Sequence, residues 1–467
     1  MSHPEYSQFD KILELVKLYE EAVSKNENLS FSEEDYEDLI HFYLDNNQAQ
    51  SALEASEMAL KVYPFSSEFS ITKADACLEL GQLDEAEETL LNNFQIDLSD
   101  VNYYLILAEI YLIQENYEKS FEILDRGMTF CKEDKDALLI HKSEVYKDSG
   151  EFELMIPLLK EAIDLNPSNS HSYYLISLAF SLCNLSNEKI EYFNELIDRD
   201  PFNTEVWLQL AYAYNDIKNY DKAVESYEYL IAIEGHTDYY IDLAKLYYDT
   251  LEIEKAIDCI MEIKKTEELD IFSLSLLGMC YKELSDYKKA KKYFQEALIL
   301  ENDNSKLYYE LANIYYLENN IKSAFPLIKK ALELEPDNLD FKELYANILS
   351  ESGETEISIR LYTEILEVRP EKVELYFNLS LLLCMEEQVD LAHTVLDFAI
   401  LNYHLNILNF YKSILYFKTE EYKKGYKYFK LGLETTFSDY HIVFELVPEL
   451  IHDVKIKELI AKYTPNS

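Results

Sequence analysis

The sequence predicts an all-α protein, an α-solenoid of stacked antiparallel helix pairs. Three observations carry that expectation. Glycine and proline are scarce, 8 and 10 in 467 residues, against roughly 7% and 5% of an average chain. The turns of a β-sandwich or of a Gly-rich doubly wound sheet therefore lack the residues that build them. Apolar residues make up 48% of the chain, enough to pack a core and unlike a disordered acidic segment. Small residues recur at a period near 34, in step with apolar residues at helical spacing.

Charge narrows the function classes. There are 89 Asp and Glu against 42 Lys and Arg, a formal net charge of −47. Nucleic-acid binding needs clustered cations. The longest basic stretch, Lys288, Lys289, Lys291 and Lys292, falls on an amphipathic helix and reads as its solvated face. Neither nucleic acid nor an anionic membrane surface is an expected partner. Met1–Glu5 shows no basic region leading into an apolar one, so no secretory leader is expected. No apolar run approaches the roughly 20 residues of a membrane span. The cysteines at 77, 131, 183, 259, 280 and 384 are scattered without a CxxC pair and read as reduced core fillers. A cytoplasmic setting is expected.

The elements follow in order. A lead-in helix is expected over residues 4–27, with Ile12, Leu15, Val16, Tyr19, Ala22 and Val23 on one face, inside an N-terminal capping segment 1–32. Twelve units then cover residues 33–438. Their second helices carry a small residue at Ala52, Ala86, Ser120, Ala223, Ala256, Ala290, Ala324, Ser358, Ala392 and Gly425, with Met155 and Lys189 in the same frame. Twelve residues upstream, the first helices carry Ile40, Ala74, Ala108, Ser143, Ser177, Ala211, Ala244, Gly278, Ala312, Ala346, Ser380 and Ser413. Three residues further stands a large side chain, tyrosine or phenylalanine in nine units. Two helices approach closely only where one side chain is nearly absent, and the large neighbours fill the groove beside it. Gly81, Gly150 and Gly353 end the first helix at one point of the frame, with Asn47, Asn184 and Asn319 standing in elsewhere. Pro157 and Pro326 fall near the start of second helices, where few backbone donors are lost. A closing helix over 449–463, after a break at Pro448, lies in a C-terminal capping segment 439–467.

This pattern resembles the tetratricopeptide repeat over about seven-eighths of the chain. The resemblance implies a right-handed superhelix of helix pairs whose first helices line a concave face. It also implies that a protein or peptide segment lies along that face, read by positions 2, 5, 9, 12 and 13 of each first helix. In the first four repeats those positions are acidic, with Asp45, Asp75, Glu79, Glu109, Glu144 and Asp148. From the fifth they turn aromatic and apolar, with Tyr174, Tyr212, Tyr248, Phe272, Tyr309 and Tyr316, then Phe377, Leu381, Phe410, Ile414 and Phe417. Asn313 and Asn347 add polar groups. Family members that clamp the C-terminal carboxylate of chaperones carry lysine at position 5; none stands there in this chain, so that ligand is not expected.

No HExxH, HxxxH, GxxxxGK[ST], GxGxxG, GxSxG or DxDxDG pattern occurs. Acid pairs such as Glu87-Glu88 read as helix surface, since a catalytic carboxylate needs a low-dielectric pocket. No catalytic, cofactor-binding or metal-ligating residue is expected. Residues 1–32 hold one helix and an acidic run, short of the helix-turn-helix of a transcription regulator. The expected function is a non-enzymatic scaffold for a basic or apolar segment. The alternative is a structural subunit of a larger complex or a self-associating oligomer; the sequence leaves the oligomeric state open.

Overall fold

A computed structural model describes residues 4–25, 31–93 and 96–464, with the backbone alone at residues 4–10 and 25. Residues 1–3, 26–30 and 465–467 of the expected capping segments lie outside the described residues. The described residues contain helices and no strand. The chain divides into two compact units, Met1–Tyr239 and Tyr240–Ser467. Each is an all-α solenoid of helix pairs.

The first unit opens with α1 (Pro4–Lys25). The pairs α2 (Glu33–Asp45) with α3 (Ala49–Val62) and α4 (Ser67–Glu79) with α5 (Leu83–Asn92) follow. Next come α6 (Val101–Ile113) with α7 (Tyr117–Phe130), and α8 (Lys135–Ser149) with α9 (Phe152–Leu165). The unit ends with α10 (Ser170–Leu182), α11 (Ser186–Arg199), α12 (Thr204–Asp216) and α13 (Tyr220–Ile233).

The unit division falls inside α14 (Thr237–Asp249), which α15 (Ile253–Ile263) follows. The second unit continues with α16 (Ile271–Glu283), α17 (Tyr287–Leu300), α18 (Ser305–Leu317) and α19 (Ile321–Leu334). Then come α20 (Leu339–Glu351), α21 (Thr355–Val368), α22 (Val373–Met385) and α23 (Val389–Tyr403). The last pair is α24 (Leu408–Lys418) with α25 (Tyr422–Thr435), and α26 (Ile442–Leu446) and α27 (Val454–Tyr463) close the chain.

Local chemistry explains the hairpins. Asn169, Asn203, Asn304 and Asn338, with Asp100 and Asp270, cap first helices by accepting from backbone N–H groups in the first turn. Every first helix of the twelve pairs ends on a left-handed residue at one point of the frame. Its successor donates its N–H back to a carbonyl five residues earlier at 2.8–2.9 Å, as in Gln82 to Cys77 and Glu252 to Tyr247. Only six of the twelve are Gly or Asn; the others are Glu115, Lys218, Leu251, Ser285, Glu387 and Glu420.

Packing explains the small residues. A Cβ on Gly278 would come within 2.6 Å of the Phe294 ring, so the backbone of α16 and the ring of α17 share that space. Where serine takes the small position of a second helix, its hydroxyl finds the facing helix. Ser120 donates to the Ala108 carbonyl at 2.9 Å and Ser358 to that of Ala346 at 2.8 Å. Pro157 and Pro326 are the sixth residues of α9 and α19, past the free donors of the first turn, so each helix gives up an internal bond.

The ends differ in detail from the expectation. Leu15, Val16, Tyr19 and Ala22 of α1 are buried and Val23 is exposed. The closing helix is interrupted: a 3-10 turn spans Pro448–His452, and Asp453 then caps α27 by accepting from the Ile456 N–H at 2.9 Å. Leu450 and Ile456 are buried, while Ile451 and Val454 face solvent. Among the described residues no helix is long and apolar enough to cross a membrane.

Candidate functional site

In the first unit the acidic stripe is laced with histidines. Asp75 on α4 is half-buried, and burial together with Glu79 pushes its carboxyl above the ordinary range while His41 opposes. His41 Nε2 lies 3.3 Å from Glu68. That hydrogen bond, first among the causes, raises the imidazole above its usual value. Further along, Glu109 on α6 meets His141 Nε2 at 3.2 Å. The other nitrogen of His141 is 3.4 Å from Glu144 on α8, and Glu144 meets His171 on α10 at 3.1 Å. The hydrogen bond from His141 holds the Glu109 carboxyl below the usual range. Carboxylates and imidazoles thus alternate across three successive first helices.

The stripe then turns aromatic. Tyr174 is 55% exposed and stacks against His171, and Tyr212 on α12 is 40% exposed with its ring edge-on to Tyr227. One cation reaches this region from behind. Lys189 fills a small-residue position on α11, is buried, donates to the Ser181 hydroxyl at 3.2 Å and lies 3.6 Å from Asp216. Burial pulls its ammonium below the ordinary lysine range, against the pull of Asp216.

In the second unit the tyrosines are half-buried. Tyr248 is pushed up to about 12 by burial and the nearby Glu283. Tyr309 stacks on Phe341 at 5.0 Å, and its hydroxyl is likewise pushed up to about 12 by burial and by Glu310. Burial and Glu351 raise Tyr316. Asn313 is half-buried, and Asn347 accepts a hydrogen bond from the Tyr362 hydroxyl at 2.5 Å. Lys282 and Glu310, 2.6 Å apart, form an ion pair shielded on both sides.

Four expected residues are corrected. Phe377, Phe410, Ile414 and Phe417 are core residues, not accessible ones. Phe410 and Phe417 turn toward their own second helix, where Gly432 and Gly425 leave room: each ring lies 2.6 Å from where a glycine Cβ would be. Phe377 packs against Tyr411 at 4.6 Å within the same core. Reading the residues missed the histidines, although His41 and His171 sit at stripe positions. It also missed Lys189 as a source of positive charge, having assigned it only a packing role. Among the described residues, no group of three or more His, Cys, Asp or Glu is placed to hold a metal ion.

Comparison with known proteins gives one consistent family. Models described as tetratricopeptide repeat match residues 38–92, 137–169, 204–235 and 282–348. The chain is similar to the TPR repeat-containing protein YpiA of Bacillus subtilis, 23% identical over 334 residues, covering 62% of this chain and 78% of that protein. A TPR repeat-containing protein of Methanocaldococcus jannaschii is 24% identical over 283 residues, 54% of this chain and about half (49%) of its own length. Anaphase-promoting complex subunit 3 of Schizosaccharomyces pombe is 22% identical over 236 residues, 49% of this chain and 35% of that one. Among solved structures, the APC/C hetero-tetramer Cut9–Hcn1 aligns over 97% of this chain and 99% of that one, at 13% identity and a TM-score of 0.40.

Proposed function

Because the chain is a tetratricopeptide-repeat protein, we propose that it works by holding another polypeptide and performs no chemistry of its own. The ligand is a protein or peptide segment lying on the first-helix face, with basic residues toward repeats one to four of the first unit and apolar residues toward Tyr174 and Tyr212. The second unit offers Tyr248, Tyr309 and Tyr316 with Asn313 and Asn347 on the same face. The observation that carries this reading is the change along the stripe from carboxylates to exposed tyrosine rings. Tyrosines bury large area at small entropic cost, and carboxylates select a cationic neighbour.

Calorimetry with a cationic-apolar peptide and an anionic peptide of equal length tests it. The cationic peptide should bind more tightly, Asp75→Lys/Glu109→Lys should weaken it roughly tenfold, about 1.4 kcal/mol, and Tyr174→Ala/Tyr212→Ala should weaken it further. Equal or better binding of the anionic peptide overturns the reading.

A second reading, a fixed subunit of a larger complex, is favoured by the names of two relatives, anaphase-promoting complex subunit 3 and ER membrane protein complex subunit 2 of Xenopus tropicalis. Light scattering of the purified chain separates this from self-association: an oligomer at micromolar concentration would favour the latter.

A further inference from the structure

Second helices of a repeat stack turn one side to solvent, and that side is ordinarily charged. In α7 its positions are Lys119, Glu122, Arg126 and Thr129; in α19 they include Lys330 and Glu333. In α23 the same positions of the frame read Leu391, Thr394, Phe398 and Leu401. Leu391, Phe398 and Leu401 are 46%, 53% and 74% exposed. Their spacing is that of one helical face, about 15 Å long at 1.5 Å per residue. This apolar stripe borders a concavity of about 520 Å³ between α21, α22 and α23, lined mainly by Leu366, Tyr376, Leu379, Val395, Phe398 and Tyr403. Val368, 65% exposed, extends the apolar surface at the end of α21. An apolar face with a socket beside it costs solubility unless something covers it.

The charge around it says what kind of partner fits. Glu367 lines the concavity, the exposed Glu371 stands near its Tyr376 wall, and the exposed Asp390 precedes Leu391 at the start of the apolar stripe. A second copy of this chain would bring the same acidic rim and a share of the −47 net charge, so self-docking is opposed by like-charge repulsion. We infer that the α21–α23 face is a second docking surface, separate from the first-helix face, for an amphipathic helix of a partner protein. That helix places a bulky apolar side chain in the concavity, lays further apolar side chains on Leu391, Phe398 and Leu401, and carries Lys or Arg along its flanks. This surface does not depend on the groove reading.

The test uses the full chain and a 16-residue peptide of leucine and lysine with its leucines on one helical face. One leucine is replaced by benzoylphenylalanine for photo-crosslinking, and a second peptide has glutamate in place of lysine. At 150 mM NaCl the lysine peptide should crosslink within residues 363–403. The double variant Phe398→Glu/Leu401→Glu should weaken that peptide at least tenfold by fluorescence anisotropy, although it adds two negative charges that would strengthen unspecific attraction. Leu401→Ser, at the most exposed position, should weaken it about threefold without disturbing the fold. These affinities are measured in the Tyr174→Ala/Tyr212→Ala background, where the first-helix face is weakened; the crosslinks within residues 363–403 should persist there, which separates the two surfaces. Crosslinks confined to other regions, unchanged affinity in the double variant, or equal binding of the glutamate peptide would overturn the inference. So would a dimer, seen by light scattering, that the double variant dissociates.

Discussion

His393 shows how a single side chain sets a pH dependence. Its ring stacks on Tyr416 at 4.0 Å, and both ring nitrogens are buried without a hydrogen-bond partner. Burial depresses its pKa, and Lys412 and Lys424 depress it further against Asp397 and Glu421. Lys412 is itself buried, 2.5 Å from Asp397 and 4.4 Å over the Tyr428 ring. Protonating His393 would set a second cation beside one that is already balanced. The unfolded chain takes up this proton near the ordinary histidine value and the folded chain only at lower pH. Stability is therefore lost as pH falls below the unfolded value, with a limiting slope of about 1.4 kcal/mol per pH unit for one proton. His41, whose pKa is raised, acts in the opposite sense. Urea midpoints between pH 7 and 5 should fall less steeply for His393→Phe, which keeps the stacked ring, than for the parent chain. Identical slopes would remove His393 from the account. None of this was legible in the sequence, where a lone histidine without ligand spacing looks inert. Its character comes from burial and then from Lys412, a charged residue that helical patterning does not place in a core.

At the scale of the element, the hairpin turn is the repeating device, and it was half legible. Gly81, Gly150 and Gly353 with Asn47, Asn184 and Asn319 announce the left-handed residue, but Glu115, Lys218, Leu251, Ser285, Glu387 and Glu420 adopt it with no local signal. The backbone bond that closes the first helix and the packing of the second helix impose the conformation. A residue with a Cβ there costs roughly 1–2 kcal/mol relative to its preferred backbone. Leu251 combines that cost with 77% exposure, so its side chain gives little packing in return. Leu251→Gly should raise stability by about 0.5–1 kcal/mol, the relief of strain being offset in part by the freer unfolded chain. The urea midpoint of the full chain measures this, and a lower midpoint would mean the leucine packs in solution. The same kind of hidden context moved Phe410 and Phe417. The last unit is 33 residues from its neighbour at the small position, Ala392 to Gly425. Glycines at 425 and 432 then drew the rings inward. A stripe drawn by counting cannot register which residue of the facing helix is missing a side chain.

For the whole molecule, the dominant fact is the surplus of carboxylates. The helical period made the all-α stack readable from end to end, because twelve copies of one weak pattern add to a strong one. The division at Tyr239 and Tyr240 left only a faint mark in the period, a 33-residue step from Ala223 to Ala256 that recurs away from it between Ala392 and Gly425. The charge surplus, by contrast, is fully visible in the sequence, and the structure shows how it is carried. Lysines are used close to carboxylates, as in Lys73 between Glu57 and Glu85, Lys282 with Glu310 and Lys342 with Glu364. With 42 cations against 89 anions, most carboxylates still face one another across solvent. Exposed ion pairs contribute only about 0–1 kcal/mol each, and salt weakens them. Salt also screens the repulsion among the surplus anions beyond the Debye length, about 10 Å at 0.1 M. With so unequal a count, relief of repulsion outweighs loss of pairing. Calorimetric scans at pH 7.5 should therefore show the melting temperature rising by several degrees between 10 and 300 mM NaCl, while binding of a cationic peptide weakens over the same range. A melting temperature that falls with salt would show that the local ion pairs, not the net charge, govern the stability of the stack.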